Sequence, residues 1–113
     1  MRSRPDRPIA LESRVGLEFS GDLWYWRGPA PWYFITVPHD HVDALQAASR
    51  FVSYGWGMIP VRARIGATSW PTSLFPKDGT YVVPVKAAVR RAEGLEEGSR
   101  VRVCLEILPS SEA

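Results

Sequence analysis

Ile35-Thr36-Val37-Pro38 and Tyr81-Val82-Val83-Pro84 follow one plan: an apolar strand pattern, then a proline that stops it. An Asp/Ala/Leu-rich segment follows the first and a Lys/Ala/Arg-rich segment follows the second, and both favour helix. Each then gives way to a strand with a Val-Arg start, Val61-Arg62-Ala63-Arg64-Ile65 and Val101-Arg102-Val103-Cys104-Leu105. The chain states one structural unit twice.

Working outward, the two-residue period of strands dominates both halves. Val15, Leu17 and Phe19 alternate with Gly16, Glu18 and Ser20. Gly21-Asp22 interrupts the pattern as a bulge or bend, and Leu23-Trp24-Tyr25-Trp26 continues it. Arg27 to Pro31 turns the chain and Trp32 to Val37 returns, so residues 13 to 37 read as a long hairpin. Asp40 is the expected N-cap of a helix with Asp43 in its first turn. Val42, Leu45 and Ser49, with Ala44 and Ala48, give that helix an apolar stripe ending near Phe51. Ser53 to Gly57 is too glycine-rich to extend it, and residues 58 to 66 return as a strand.

In the second half, strands at about 68 to 75 and 80 to 84 meet across Pro76-Lys77-Asp78-Gly79. Asp78-Gly79 is a strong hairpin turn signal. A helix over about 85 to 93 ends at Gly94, a good residue for the left-handed position beyond a helix, and Arg100 to Leu108 is the last strand. The order is β-β-α-β, twice. Neither unit can close its own sheet, but two related by a pseudo-twofold axis pair their edges and share one interior. The fold class is therefore mainly β: a six-stranded closed or double-split β-barrel from two pseudo-symmetric ββαβ units, with two short capping helices. A split sheet with both helices on one face is the alternative.

The 113 residues suffice for one domain, burying roughly 65% of the unfolded chain's surface. Hydrophobic residues at 45%, charged residues at 23% and a net charge of +2 are ordinary for a soluble domain and mark no nucleic-acid binder by total charge. No apolar run approaches the roughly 18 residues of a membrane span, and Met1 to Arg7 lacks the apolar stretch of a secretory signal. Cys104 is the only cysteine, which excludes an internal disulfide and points to a reducing, cytoplasmic setting. The expected organisation is a flexible tail over 1–12, the barrel over 13–108 and a flexible C-terminus over 109–113.

Several blocks resemble a prokaryotic domain-of-unknown-function family. They are Phe19 to Leu23, Trp32-Tyr33-Phe34-Ile35-Thr36-Val37-Pro38, Trp70 through Tyr81, Lys86-Ala87-Ala88-Val89-Arg90-Arg91, and Gly98-Ser99-Arg100-Val101. That family is associated with a double-split β-barrel shared with AbrB-like transcription factors, and its members occur alone or beside a YdeI/OmpD-associated (bacteriocin-protection) domain. The resemblance spans about residues 14 to 108 and implies the fold; it implies no activity.

Four groups of residues are site candidates. Trp70, Thr72, Ser73 and Lys77, beside Asp78, could hold a small polar or anionic ligand with Trp70 as a wall. The same residues also read as strand ends, a solvated turn and a core indole, and that reading is the favoured one. Lys86 and Arg90, four apart on one helix, could grip a phosphate or carboxylate, or form a solvated face answering Glu93, Glu96 and Glu97. Arg62, Arg64, Arg100 and Arg102 occupy alternate strand positions and form an outward stripe if their strands are neighbours, as phosphate-backbone binding requires, unless Glu18 or Glu106 neutralises it. Finally, if the register of Leu17 and Phe19 survives Gly21, then Trp24 and Trp26, with Trp32 and Phe34, lie outside the barrel. Four such side chains form an apolar patch that monomers seldom leave uncovered; a bulge at Gly21 would instead turn Trp24 and Trp26 inward.

His39-Asp40-His41 with Asp43 offers no third ligand at fixed spacing, so no metal or other cofactor is expected. Nucleophile elbows, phosphate-binding loops and zinc-helix motifs are missing from the sequence, and Cys104 reads as a structural thiol. The expectation is a non-enzymatic binding module for a small ligand or a protein, a second copy of the chain included. Nucleic-acid binding through the arginines is the alternative, followed by an enzyme at a Ser73/Lys86/Arg90 edge. No membrane partner is expected.

Overall fold

A computed structural model describes residues 16–29, 31–52 and 57–108. The tails expected over 1–12 and 109–113, and most of the Ser53–Gly57 loop, lie outside the described residues. Strands β1 (Gly16–Trp26) and β2 (Trp32–Thr36) lead through a single 3-10 turn (His39–His41) into helix α1 (Val42–Val52) and strand β3 (Ile59–Ile65). Strands β4 (Thr68–Lys77) and β5 (Thr80–Pro84), helix α2 (Ala87–Glu93) and strand β6 (Arg100–Ile107) repeat the plan. The strands close into an antiparallel barrel in the order β1-β2-β5-β4-β3-β6. Exchanging β1 with β4, β2 with β5 and β3 with β6 leaves that order unchanged, which is the twofold relation the duplicated sequence demands. Ile35 sits opposite Val83 where β2 meets β5, and Ala63 opposite Leu105 where β3 meets β6. Both halves supply equivalent strands to one interior, and the split-sheet alternative does not hold.

Closure depends on two long strands that change neighbours. β1 pairs with β6 through residues 16 to 22 and with β2 through 23 to 26. β4 pairs with β3 through residues 59 to 65 of its partner and with β5 through Phe75, Pro76 and Lys77. At the handover in β1, Gly21 is buried, and a Cβ there would lie 2.8 Å from Ile35 Cγ2 and 3.3 Å from the Thr36 carbonyl oxygen. A glycine lets the strand fold this closely over its neighbour. Leu23 then donates its amide to the Ser99 carbonyl (2.9 Å) and accepts from Gly98 (2.7 Å), which ties the bend to the start of β6.

The alternation runs through this bend without a break in β1. Leu17, Phe19 and Leu23 stay on the inward side, and the interior continues with Ile35, Val61, Val83, Val103 and their neighbours. Leu45 of α1 and Val89 of α2 are buried in the same cluster, so each helix closes the barrel with an apolar residue. Asp78 (φ 53) and Gly79 (φ 81) make the two-residue turn between β4 and β5, as the Asp-Gly signal requires. Gly94 ends α2 in the left-handed region (φ 65).

Two local expectations are corrected. Asp40 does not cap a helix: it lies inside the 3-10 turn, whose N-cap is Pro38, and no side-chain cap bond forms. Glu93 does not answer the basic face of α2. Its carboxylate accepts from Thr68 Oγ1 (2.6 Å) and the Ala67 amide (3.3 Å), latching α2 to the β3–β4 turn. Gly66 must be small there, since a Cβ would collide with that carboxylate.

Lys86 is the N-cap of α2, without a side-chain cap bond and with no acid in the first turn. A cation there opposes the helix dipole and leaves orphan amides uncapped. Lys86→Asp is therefore expected to stabilise the fold by about 1 kcal/mol, read as a higher urea midpoint at unchanged slope.

Candidate binding face

The barrel wall has two outer faces of opposite character. On the first, β1, β6 and β3 point Glu18, Asp22, Arg62, Arg64, Arg100 and Arg102 to solvent. Arg102 Nε donates to Glu18 Oε2 (2.8 Å) and Arg100 Nη1 to Asp22 Oδ1 (3.2 Å). Arg62 stands opposite Glu106, while Arg64 donates to the Gly66 carbonyl (3.1 Å) and to Cys104 Sγ (3.3 Å). The four arginines do share one face, as their spacing implied, and acids stand across from two of them, Glu106 opposite Arg62 and Asp22 opposite Arg100. Exposed pairs of this kind contribute at most about 1 kcal/mol each to stability.

The second outer face is built by the end of β1, β2, β5 and the end of β4. The register places Trp24 opposite Phe34, Trp26 opposite Trp32, Phe34 opposite Pro84, and Thr36 opposite Val82, which is in turn opposite Phe75. Trp26 (41% exposed), Trp32 (45%) and Phe75 (42%) are the large hydrophobic side chains exposed among the described residues, and all three lie on this face. The rings are held in fixed poses. Trp24 and Phe34 are 5.4 Å apart at 42°, and Trp26 and Phe34 are 6.4 Å apart at 49°. Trp24 Nε1 donates to Thr36 Oγ1 at 2.9 Å. The Trp26 indole lies against Gly28, where a Cβ would come within 2.5 Å of the ring. Beneath this layer Val82 is only 3% exposed although it belongs to no part of the interior cluster.

At the Thr36 end the face dips into a groove of about 430 Å³, lined by Trp24, Thr36, His39, Lys77, Asp78, Thr80 and Val82. Thr80 donates its hydroxyl to the Val37 carbonyl (2.7 Å), and the Trp24 N–H is already bonded to Thr36. The groove therefore offers an aromatic wall and aliphatic groups along its length. Its charges are at one end: Lys77 Nζ lies 3.5 Å from Asp78 Oδ2, beside His39.

Of the residues expected to hold a ligand, only Lys77 reaches this groove. Trp70 is 4% exposed and packs inside the barrel opposite Ala63, so it is no ligand wall. Thr72 stands opposite Val61 on the inward side, and Ser73 takes the outward position after it. Arg90 does not join Lys86 in an anion grip: its guanidinium lies 3.8 Å from the Tyr33 ring centroid, and its Nε donates to the Val85 carbonyl. That contact extends a stack in which Tyr33 meets Tyr25 at 4.8 Å and Arg27 covers Tyr25 at 5.3 Å. Trp24, Trp26, Trp32 and Phe34 share the outer face that uninterrupted alternation implied. Phe75, Thr36, Thr80, Val82 and His39 complete it and were missed. Only the β4–β5 register, read outward from the Asp78-Gly79 turn, could have found the three from those strands.

Among the described residues no three His, Cys, Asp or Glu side chains are placed to hold a metal ion. No helix among them is long and apolar enough to cross a membrane. A family model described as a domain of unknown function (DUF1905) matches residues 19–105. No curated protein matches the chain. The chain belongs to the DUF1905 family.

Proposed function

We propose that this member of the DUF1905 family is a non-enzymatic binding module whose working surface is the aromatic outer face and its groove. One observation carries the reading: every large hydrophobic side chain exposed among the described residues lies on this face, while on the other face Arg100 and Arg102 are paired with Asp22 and Glu18. Exposed aromatics gathered on one side are what a binding surface requires and what solubility disfavours. A barrel without free edges also cannot take a partner by strand addition, so recognition falls to side chains. Nucleic-acid binding by analogy with AbrB-like barrels has less support, because Arg100 and Arg102 are turned to Asp22 and Glu18. The enzymatic alternative at Ser73, Lys86 and Arg90 loses Arg90 to Tyr33.

Anilinonaphthalene sulfonate, a probe of apolar surface, is the test, used at sub-micromolar protein. Native protein is expected to bind it and brighten it. Phe75→Ser and Trp26→Ser should each weaken that binding severalfold with the circular dichroism unchanged. Binding indifferent to both changes, or NMR shifts confined to Arg62, Arg64, Arg100 and Arg102, overturns the reading.

A further inference from the structure

We infer that the occupant of this face is a second copy of the same chain, joined across a twofold axis; the inference rests on the aromatic face being the working surface. A twofold contact demands a surface complementary to itself. This face has the two required parts at its two ends. Trp26 and Trp32, the more exposed indoles, stand at the hairpin end of β2, and the 430 Å³ groove lies at its Thr36 end. Four residue steps of strand separate Trp32 from Thr36, roughly 13 Å. An axis lying in the contact plane and crossing β2 at Phe34 reverses the strand of the second copy. Each Trp32 end then falls on the partner's groove, and Phe34 meets its own copy.

Charge fits the same arrangement. The groove end carries one cation and one anion, Lys77 and Asp78, whose side chains are 40% and 82% exposed to a neighbour's field. A surface bearing a single sign would repel its own copy, whereas this pair leaves the contact neutral. Size sets the strength. Four half-strands about 4.8 Å apart and three to five residues long give a face of roughly 19 by 16 Å. At about 300 Å² per copy that is well under the roughly 800 Å² per partner of a standard interface, so the dimer is a weak, transient one.

The test is sedimentation equilibrium on the wild type, on Trp32→Ser (ridge removed), on Thr36→Arg (groove blocked) and on their equimolar mixture. The wild type is expected to dimerise reversibly, and each variant alone to bind itself at least tenfold more weakly. Mixing must restore association, since the mixed pair keeps one intact ridge-in-groove contact: the ridge of Thr36→Arg in the groove of Trp32→Ser. Should Thr36→Arg disturb the fold by circular dichroism, Lys77→Trp fills the same groove and replaces it. A wild type that stays monomeric into the millimolar range overturns the dimer while leaving probe binding, and with it the proposed face, intact. A variant that dimerises as tightly as wild type, or a mixture no better than its components, overturns it as well.

Discussion

Trp70→Ala is expected to be the most damaging truncation in the barrel, costing about 3–5 kcal/mol. The indole is 4% exposed and lies across from Ala63, so a large side chain fills the space that a small one leaves. Removing it opens a cavity in the barrel interior beside Ala63, and β3 cannot move in to close it because its other side is paired with β6 through residues 61 to 64. A domain of this length has a total stability of about 5–15 kcal/mol, so the variant should sit near the edge of folding. Urea denaturation reads this as a lower midpoint with unchanged slope. Trp32→Ala is the control, because its exposed indole should cost under about 1 kcal/mol. Similar losses from the two would show that Trp70 is not the core residue the register makes it.

Gly21→Val is expected to cost about 2–3 kcal/mol by the opposite mechanism, overfilling. Ile35 is fully buried, and its Cγ2 would be 2.8 Å from the new Cβ before any further methyl is placed. The strand cannot move away, because Leu23 is hydrogen-bonded to both Gly98 and Ser99. Because the shorter of the two contacts is with the Ile35 side chain, Gly21→Ala and Ile35→Ala should be coupled: the double variant should lose less than the sum of the singles. Strict additivity would mean that the glycine serves the backbone and not this contact.

Much of the fold was legible because its signals are local. The Asp78-Gly79 turn and Gly94 each act within a few residues and work as read, and Pro38 follows the end of β2, whereas Pro84 is itself the last residue of β5, opposite Phe34. Alternation through Gly21 also placed Trp24 and Trp26, although the glycine left a bulge open until the strand proved continuous. The candidate ligand residues were less legible for a reason of pattern. β4 turns Thr68 and Thr72 inward and Phe75 outward, so its hydrophobic sequence does not announce which side Trp70 takes. The roles of Glu93 and Arg90 were hidden for a reason of distance. Their partners, Thr68 and Tyr33, lie 25 or more residues away, where no periodicity reaches. A helix whose charges look free in sequence is in fact fastened by two of them.

Gly16 lies opposite Glu106, so the first strand begins where the last one finishes. A short loop joining those neighbours, with the chain reopened at Gly66-Ala67, would give a circular permutant that synthesises the second half first. It should reach the same architecture, weakened chiefly where Glu93 would hold a severed turn. The order in which the ribosome delivers the two halves is, for this molecule, a matter of history and not of mechanics.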